Sequence, residues 1–357
     1  MSVPSLAEKQ WGRSATEVAR EVGASREAIE LAWRSEIFDL HVDSYITARL
    51  VGYDLLKRHA IGFPSYGRFF GQLDLPRALA GGLTGAMWSV TTNIARPGKH
   101  RSDVFFENLS SLRSTLESSP DVVIVRTAEE LHAGRAAGKH VALLAVQGGN
   151  AFESRDPANP GRLVTRVTLV HLSNSVYGAT SSPARGRDDP GLTRRGRDFV
   201  RWLDSERIFV DLAHASPRSF WDAVETHDRS LPLIVTHTGI ADVHAMWRNI
   251  DGRQVRAVAD SGGVVAIIFH TPFLGPNGHD GRAVLDHVEA AITAGGEECV
   301  ALGSDYDGAI LPPRDLRDAG TGYYRLIGYM LERKWSEARI RRVLGENFVR
   351  SFARLRP

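Results

Sequence analysis

Eight apolar segments, spaced along most of the chain, place the strongest constraint on its fold. They end at polar residues or glycine and occupy residues 37–43, 84–91, 140–147, 164–172, 207–214, 232–237, 263–269 and 299–305. Between most of them lies a stretch that fits a helix, most clearly at 196–205, 216–227, 251–262 and 282–296. Several of these stretches open with Ser, Asp or Pro and close with Gly, as helix ends prefer. Eight strand–helix units in 357 residues predict an α/β fold of the (β/α)8 TIM-barrel type.

An open, doubly wound parallel sheet is the alternative architecture. It would favour a glycine-rich phosphate-binding turn after the first strand, and the sequence has none there. Before the first strand, residues 15–35 predict two short helices that are broken near Gly23, with Ser25 as the N-cap of the second. We therefore expect a short N-terminal helical extension (1–36) and a barrel catalytic domain (37–357). The polar segment 184–196 is expected to form a loop over the barrel mouth.

The composition narrows the class of protein. An apolar fraction of 43% and a charged fraction of 24% are typical of a globular protein in water. A net charge of +2 with scattered arginines gives no basis for nucleic-acid binding. Cys299 is the single cysteine, so no intrachain disulfide can form. The sequence has no signal peptide, no apolar segment near the ~20 residues of a membrane span and no lipid-anchor motif, which predicts a cytoplasmic protein without a membrane anchor.

The segment Asp-Leu-His-Val-Asp (39–43) gives the first indication of chemistry. His41 and Asp43 are two residues apart at the end of an apolar strand, so they would project from the same face. Burial of a histidine and an aspartate is costly unless something pairs with both of them. A divalent metal ion would do so.

Other predicted strands also end in groups that bind metals or substrates. These residues are Gln147, His171, His214, His237 and Asp305. In a parallel barrel the carboxyl ends of all strands meet at one rim, so these side chains are expected to converge with His41 and Asp43. Imidazole and carboxylate together suit zinc or a similar divalent metal. Six such strand ends exceed the needs of one tetrahedral zinc, so they fit either two bridged metals or one metal with acid–base and substrate-binding groups.

The order of these motifs resembles the membrane dipeptidase (renal dipeptidase) family of zinc metallopeptidases, in the amidohydrolase superfamily. The likeness extends from about residue 36 to 353 and is carried by the segments 39–43, 147–152, 168–174, 191–216, 234–240, 247–250, 261–269, 301–308 and 345–352. It implies a metallo-dependent hydrolase barrel whose centre holds two zinc ions. By resemblance, His41 and Asp43 bind the first zinc, and His214 and His237 bind the second.

The chain departs from the family at the bridging position, where Gln147 replaces a glutamate. A carboxylate can hold two cations about 3.5–4 Å apart, whereas an amide offers one neutral oxygen. We therefore expect at least one site to be weakened, which leaves one or two Zn²⁺ ions. The site with His41 and Asp43, near Asp305, is expected to hold a dication better than the site with His214 and His237, because it has carboxylates. The preference of zinc for imidazole opposes this order.

The resemblance also implies roles for three further residues. His171 contacts the substrate carbonyl and stabilises the tetrahedral intermediate, and Arg248 holds the substrate carboxylate with its guanidinium fork. Asp305 binds substrate and exchanges protons with the attacking water and the leaving amine, with Asp307 as the nearby alternative. The implied reaction is hydrolysis of dipeptides or similar small carboxylate-bearing amides by metal-activated water.

Two other functions remain open from the sequence. One is a mononuclear amidohydrolase that acts on another amide, a lactone or a modified peptide. The other is a non-catalytic homologue that keeps the pocket as a binding site. The complete set of polar groups favours catalysis, because a binding protein has no physical need for so many costly buried groups. The expected partner is a small-molecule or dipeptide substrate, and a homodimer is compatible with the resemblance, since dimers are common in the family.

Overall fold

Nine parallel strands form the centre of the computed structural model, which describes residues 5–60, 68–93, 95–154, 158–183, 186, 188–276 and 278–357. The strands are β1 (Phe38–Val42), β2 (Gly85–Thr91), β3 (Val122–Ile124), β4 (His140–Gln147), β5 (Val164–Thr168), β6 (Phe209–Asp211), β7 (Ile234–Thr238), β8 (Val264–Ile267) and β9 (Val300–Leu302). Eight of them match the eight predicted segments.

The sheet closes into a barrel. β1 pairs with both β2 and β9, and β2 pairs with β4 along its whole length, from Gly85 opposite Val141 to Thr91 opposite Gln147. The remaining neighbours run in chain order from β4 to β9, so eight strands form a continuous parallel ring. β3 lies outside this ring and pairs with the first three residues of β4. The predicted (β/α)8 barrel is confirmed.

Helices surround the ring. Within the described ranges they are α1 (Leu6–Trp11), α2 (Ala15–Val22), α3 (Arg26–Trp33), α4 (Tyr45–Val51), α5 (Leu75–Ala80), α6 (Gly98–Glu117), α7 (Ala128–Ala136), α8 (Arg194–Ser205), α9 (Pro217–Thr226), α10 (Gly252–Asp260), α11 (Thr271–Leu274), α12 (Arg282–Gly295), α13 (Gly322–Glu332), α14 (Glu337–Arg341) and α15 (Asn347–Leu355). The four helices predicted most clearly are α8, α9, α10 and α12. None of the described helices combines the length and the apolar character that a bilayer crossing requires.

The segment before β1 is helical, as predicted, with one helix more than expected. α2 ends at Gly23, whose backbone is left-handed at φ 72°, and α3 begins after its N-cap Ser25. The additional helix α1 is anchored by Trp11, whose indole donates to the carbonyl of Ala80 at 2.8 Å. Trp33 similarly donates to the hydroxyl of Tyr324 on α13 at 3.0 Å. These contacts fix α1 and α3 to the helices around the barrel. The domain division at residue 36 stays a prediction.

The predicted loop 184–196 is only partly a loop. Its last residues begin α8, because Thr193 caps that helix by accepting a hydrogen bond from the backbone N–H of Gly196. Residues 184, 185 and 187 lie outside the described residues.

The apolar core has two parts. The larger cluster lies mainly between the strands and the helices, and the smaller one joins strand residues to α15. In the smaller cluster the ring of Phe348 lies 4.5 Å from that of Phe38 and 6.1 Å from that of Phe209. The polar side chains singled out from the sequence lie instead around the carboxyl ends of the strands.

Candidate metal centre and active site

The structure brings the eight predicted site residues together at one rim of the barrel. They follow or close β1, β4, β5, β6, β7 and β9, and comprise His41, Asp43, Gln147, His171, His214, His237, Arg248 and Asp305. Six of them, all except His41 and His237, line a cavity of about 470 Å³. His41 and His237 are fully buried, and their rings stack with centroids 3.9 Å apart.

One half of the site combines an imidazole with two carboxylates. His41 Nε2 lies 3.6 Å from Asp43 Oδ1 and 3.5 Å from Asp305 Oδ1, and this buried nitrogen has no hydrogen-bond partner. Ligands about 2.0–2.2 Å from a tetrahedral zinc would lie about 3.4 Å from one another. His41, His237 and Asp305 can each present a ligand atom within 4.8 Å of the other two. Donor atoms of one imidazole and two carboxylates thus converge here at distances close to those of ligands around a divalent cation.

The other half pairs two imidazoles. His214 Nε2 and His237 Nε2 are 2.9 Å apart, and the two rings meet nearly edge to face with centroids 5.0 Å apart. Burial lowers the pKa of both histidines well below the usual value, so each ring is neutral and retains a lone pair. Two converging neutral imidazoles suit a zinc-like metal.

Gln147 lies between the two halves, where a bridging ligand would be. Its Nε2 is 3.3 Å from His214 Nε2 and 3.2 Å from His237 Nε2, while its Oε1 is 2.8 Å from Thr91 Oγ1. The Thr91 oxygen is also 2.7 Å from Asp43 Oδ1, so its single hydrogen serves one of two acceptors at a time. Thr91 closes β2, a strand whose end gave no signal in the sequence, and the structure adds it to the site.

Backbone strain marks two of the site residues. His214 and Asp305 have left-handed φ angles of 64° and 63°. A non-glycine residue pays about 1–2 kcal/mol for this conformation, which persists only where neighbours hold it. The carbonyl of His214 accepts a hydrogen bond from the Ser181 N–H at 2.7 Å, and the Asp305 N–H donates to the carbonyl of His41 at 3.0 Å. Such strain is typical of functional positions.

The two cavity carboxylates have opposite pKa shifts. Burial, and after it the negative charge of Asp43, raises the pKa of Asp305 well above its usual value. Burial acts in the same sense on Asp43, but His41 and the Thr91 hydroxyl outweigh it and hold the pKa of Asp43 below its usual value. Neighbouring carboxyl groups with separated pKa values divide acid–base work between them. Asp305 is therefore the better proton carrier of the two.

Asp307, the alternative to Asp305, does not line the cavity. Its carboxylate accepts hydrogen bonds from Ser44 Oγ at 2.5 Å and from the Gln72 N–H at 2.9 Å. Its own N–H donates to the side chain of Gln72 at 2.6 Å. Because these bonds hold Asp307 to Ser44 and Gln72, away from the cavity, the geometry favours Asp305 as the residue that exchanges protons.

Arg248 places a positive charge in the wall of the cavity. It is buried, its Nη2 donates to the carbonyl of His237 at 2.6 Å, and its Nε has no partner. Burial lowers the pKa of Arg248 to about 10, and the charge of Asp305 opposes that shift. A buried guanidinium with unused donors at a cavity wall can bind an anionic group.

The rest of the cavity wall is largely apolar, formed by Ile46, Phe70, Leu172, Trp247, Phe273, Ala309 and Ile310. His171 and His270 add two imidazoles, and burial lowers the pKa of each to about 4. Neutral imidazoles can donate a hydrogen bond without adding charge. The cavity thus offers an anion-binding end, a polar centre and apolar sides.

One buried residue beneath the cavity was not predicted from the sequence. Arg166, in β5, is fully buried, and its Nη2 lies 2.8 Å from His41 Nδ1. The available signal was an arginine in the middle of a predicted strand that otherwise holds only valine and threonine, since buried parallel strands rarely carry a charge.

Comparisons with known proteins agree with this geometry. The model of the family "Membrane dipeptidase (Peptidase family M19)" matches residues 25–356. A Klebsiella pneumoniae protein, the "uncharacterized protein in pqqA 5′ region", is 32% identical over 175 residues, which are 48% of this chain and 63% of that protein. The chain thus matches less than two thirds of that relative's length.

Solved structures share the fold. A metallopeptidase from Rhodobacter sphaeroides, liganded with a phosphinate mimic of the dipeptide L-Ala-D-Ala, has a TM-score of 0.76 at 24% identity, over 90% of this chain and 99% of that one. The probable dipeptidase PvdM from Pseudomonas aeruginosa has a TM-score of 0.80 at 16% identity, over 94% and 98% of the two chains. The family match over nearly the whole sequence confirms the predicted relationship, and the chain belongs to the membrane dipeptidase family.

Proposed function

We propose that the protein hydrolyses dipeptides, or similar small amides that carry a carboxylate, with the help of a bound divalent metal ion. The observation that carries this proposal is the arrangement of one cavity of about 470 Å³, in which Arg248, His171 and Asp305 surround converging metal-ligand side chains. The cavity volume is in the range of small-molecule sites.

The metal would be held by His41, Asp43, His214 and His237, with Gln147 between the pairs. The converging neutral imidazoles of His214 and His237 support this assignment. Histidine and aspartate ligands make zinc the best candidate. When bound, such an ion supplies a Lewis acid that lowers the pKa of a water molecule and polarises a carbonyl group.

Asp305 would move the proton. It can accept a proton from the attacking water and return it to the departing amine nitrogen. The raised pKa of Asp305 fits both steps, because a general base works best when its pKa is close to the working pH.

Arg248 and His171 would orient the substrate. The unused donors of Arg248 can hold the carboxylate next to the scissile amide, which selects dipeptides over longer chains. His171 is neutral and faces the cavity, so its N–H can stabilise the oxyanion that forms on the carbonyl oxygen. The apolar walls would accommodate the two side chains.

A paired substrate panel tests the proposal. Each dipeptide is assayed beside its C-terminal amide, with zinc added and with zinc removed by a chelator. We expect zinc-dependent release of amino acids from the dipeptides and much slower release from the amides. Equal rates on both members of each pair would contradict the role of the carboxylate, and the absence of turnover on every pair would refute the function.

Gln147 favours a second candidate, a mononuclear amidohydrolase that acts on another small amide or a lactone. Its amide nitrogen, rather than a carboxylate oxygen, faces the two imidazoles at 3.3 and 3.2 Å. N-acyl amino acids and lactones added to the same panel distinguish this candidate, because it predicts zinc-dependent turnover there and none on dipeptides.

A further inference from the structure

Arg166 is a fixed positive charge directly beneath the proposed metal centre. Its side chain is fully buried, and Nη1 donates to the carbonyl of Val146 at 3.0 Å and to Thr168 Oγ1 at 2.8 Å. Its Nη2 reaches Ser89 Oγ and His41 Nδ1, each at 2.8 Å. Four anchors in β2, β4, β5 and β1 hold the guanidinium in one position.

This contact determines which nitrogen of His41 can bind a metal. A guanidinium donates hydrogen bonds and accepts none, so Nδ1 of His41 must be the acceptor. In a neutral ring the hydrogen then resides on Nε2, the nitrogen that faces Asp43 and Asp305. A nitrogen that carries a hydrogen cannot ligate a metal, so Arg166 opposes metal binding by His41.

His237 has the opposite arrangement. Its Nδ1 lies 2.9 Å from Thr236 Oγ1, and that hydroxyl donates its own hydrogen to Asp211 Oδ2 at 2.7 Å. The Thr236 oxygen therefore accepts from Nδ1–H of His237, which leaves the lone pair on Nε2. Asp211 is further fixed by Thr168 Oγ1 at 2.6 Å. His237 is therefore prepared to bind a metal through Nε2, whereas His41 is not.

The charges around the site fit one ion better than two. Arg166 and Arg248 are both buried and place two guanidinium groups beside the site, and Gln147 at its centre is neutral. A second divalent ion would add further positive charge next to these groups, and uncompensated buried charge is strongly unfavourable.

We propose that Arg166 takes the place of one metal cation, so that this chain binds a single divalent ion, held by the imidazoles of His214 and His237. Gln147 and Arg166 act together, because one removes a negative charge and the other adds a positive charge. This reverses the order of sites expected from the carboxylates alone. The inference rests on the proposed metal-dependent hydrolysis and specifies its metal requirement.

The test counts bound metal and does not depend on turnover. The full chain is stripped with a chelator, dialysed against graded zinc concentrations and analysed for zinc per chain. We expect one ion in the native protein, and two or none would overturn the proposal. The double variant Gln147→Glu with Arg166→Met should bind a second ion at least a hundredfold more tightly than the native protein, and no gain would overturn it.

Matched variants separate charge from packing. Arg166→Lys combined with Gln147→Glu keeps the buried positive charge and should stay at one ion, so two ions there would contradict the proposal even if Arg166→Met fails to fold. Arg356→Met removes another buried guanidinium, one that bonds to the carbonyl of Val164 at the start of β5, and should leave the metal count at one. Circular dichroism checks that each variant is folded.

Single-residue variants locate the ion. His237→Ala should lower zinc affinity at least a hundredfold, whereas His41→Ala should leave it within a few-fold of the native value. A larger loss in His41→Ala would overturn the assignment. A protein that binds one ion in this way but hydrolyses no dipeptide would refute the proposed function and leave this inference intact.

Discussion

Replacement of Arg248 by methionine gives the sharpest test of substrate selection. Arg248 is buried, carries an unused Nε donor and lies in the same cavity as Asp305. Methionine has a similar length and no charge, so the variant removes the anion-binding group and keeps most of the packing. The fold should survive, because the guanidinium makes one hydrogen bond that the structure records, to the carbonyl of His237.

The expected loss follows from the chemistry of a buried ion pair. A hydrogen bond to a charged group contributes about 1.5–3 kcal/mol, and loss of its partner leaves the substrate carboxylate without compensation. At 1.36 kcal/mol per tenfold change, kcat/KM for dipeptides should fall about 10- to 150-fold. The C-terminal amides carry no carboxylate, so their kcat/KM should change little.

The assay is steady-state hydrolysis of three or four dipeptides beside their amides, in native protein and variant. Arg253→Met is the matched control, because Arg253 is exposed on α10 and does not line the cavity. It should leave both substrate classes unchanged. If Arg248→Met slows dipeptides and amides by the same factor, Arg248 supports the structure of the site and does not recognise the carboxylate.

Further predictions concern the polar groups around the metal centre. Thr91→Val removes the hydroxyl that fixes Oε1 of Gln147, whose side chain contacts the imidazoles of His214 and His237, and should weaken zinc binding about tenfold, as loss of an outer partner does. The exposed control Thr293→Val should leave zinc binding unchanged, and calorimetric titration with zinc measures both variants. In the metal-free protein the pKa of Asp305 is raised above its value in the unfolded chain. The contribution of Asp305 to stability is therefore present at low pH and is lost as pH rises through the raised pKa. Asp305→Asn should raise the thermal midpoint at pH 7 and have little effect near pH 3. An unchanged midpoint at pH 7 would show that Asp305 is not a costly buried charge. With zinc bound, Asp305→Asn should lower kcat at least a hundredfold while zinc content stays the same.

The barrel could be predicted from the sequence because its eight strands are short apolar segments and most of them are separated by helix-compatible stretches. β3 was missed since its three residues form too short an apolar run to stand out. It also lies outside the ring, so the count of eight did not require it. The extra helix α1 was missed for a similar reason, since six residues show little periodicity.

The ring of site residues could also be predicted, because parallel strands bring their carboxyl ends to one rim. The hydrogen-bond directions could not be. Arg166 contacts His41, and Thr91 lies between Asp43 and Gln147. These contacts depend on which side chains face one another inside the barrel. Such contacts link residues from different strands and follow from the three-dimensional register alone.

Dipeptide hydrolysis during a zinc titration of the chelator-treated protein tests the central claim most directly. The claim is that a divalent ion in this cavity enables hydrolysis of a carboxylate-bearing amide. We predict no turnover before zinc is added, a rise in proportion to zinc and a plateau at one equivalent per chain. Turnover that persists after complete removal of the metal, or none at any zinc concentration, would contradict the claim.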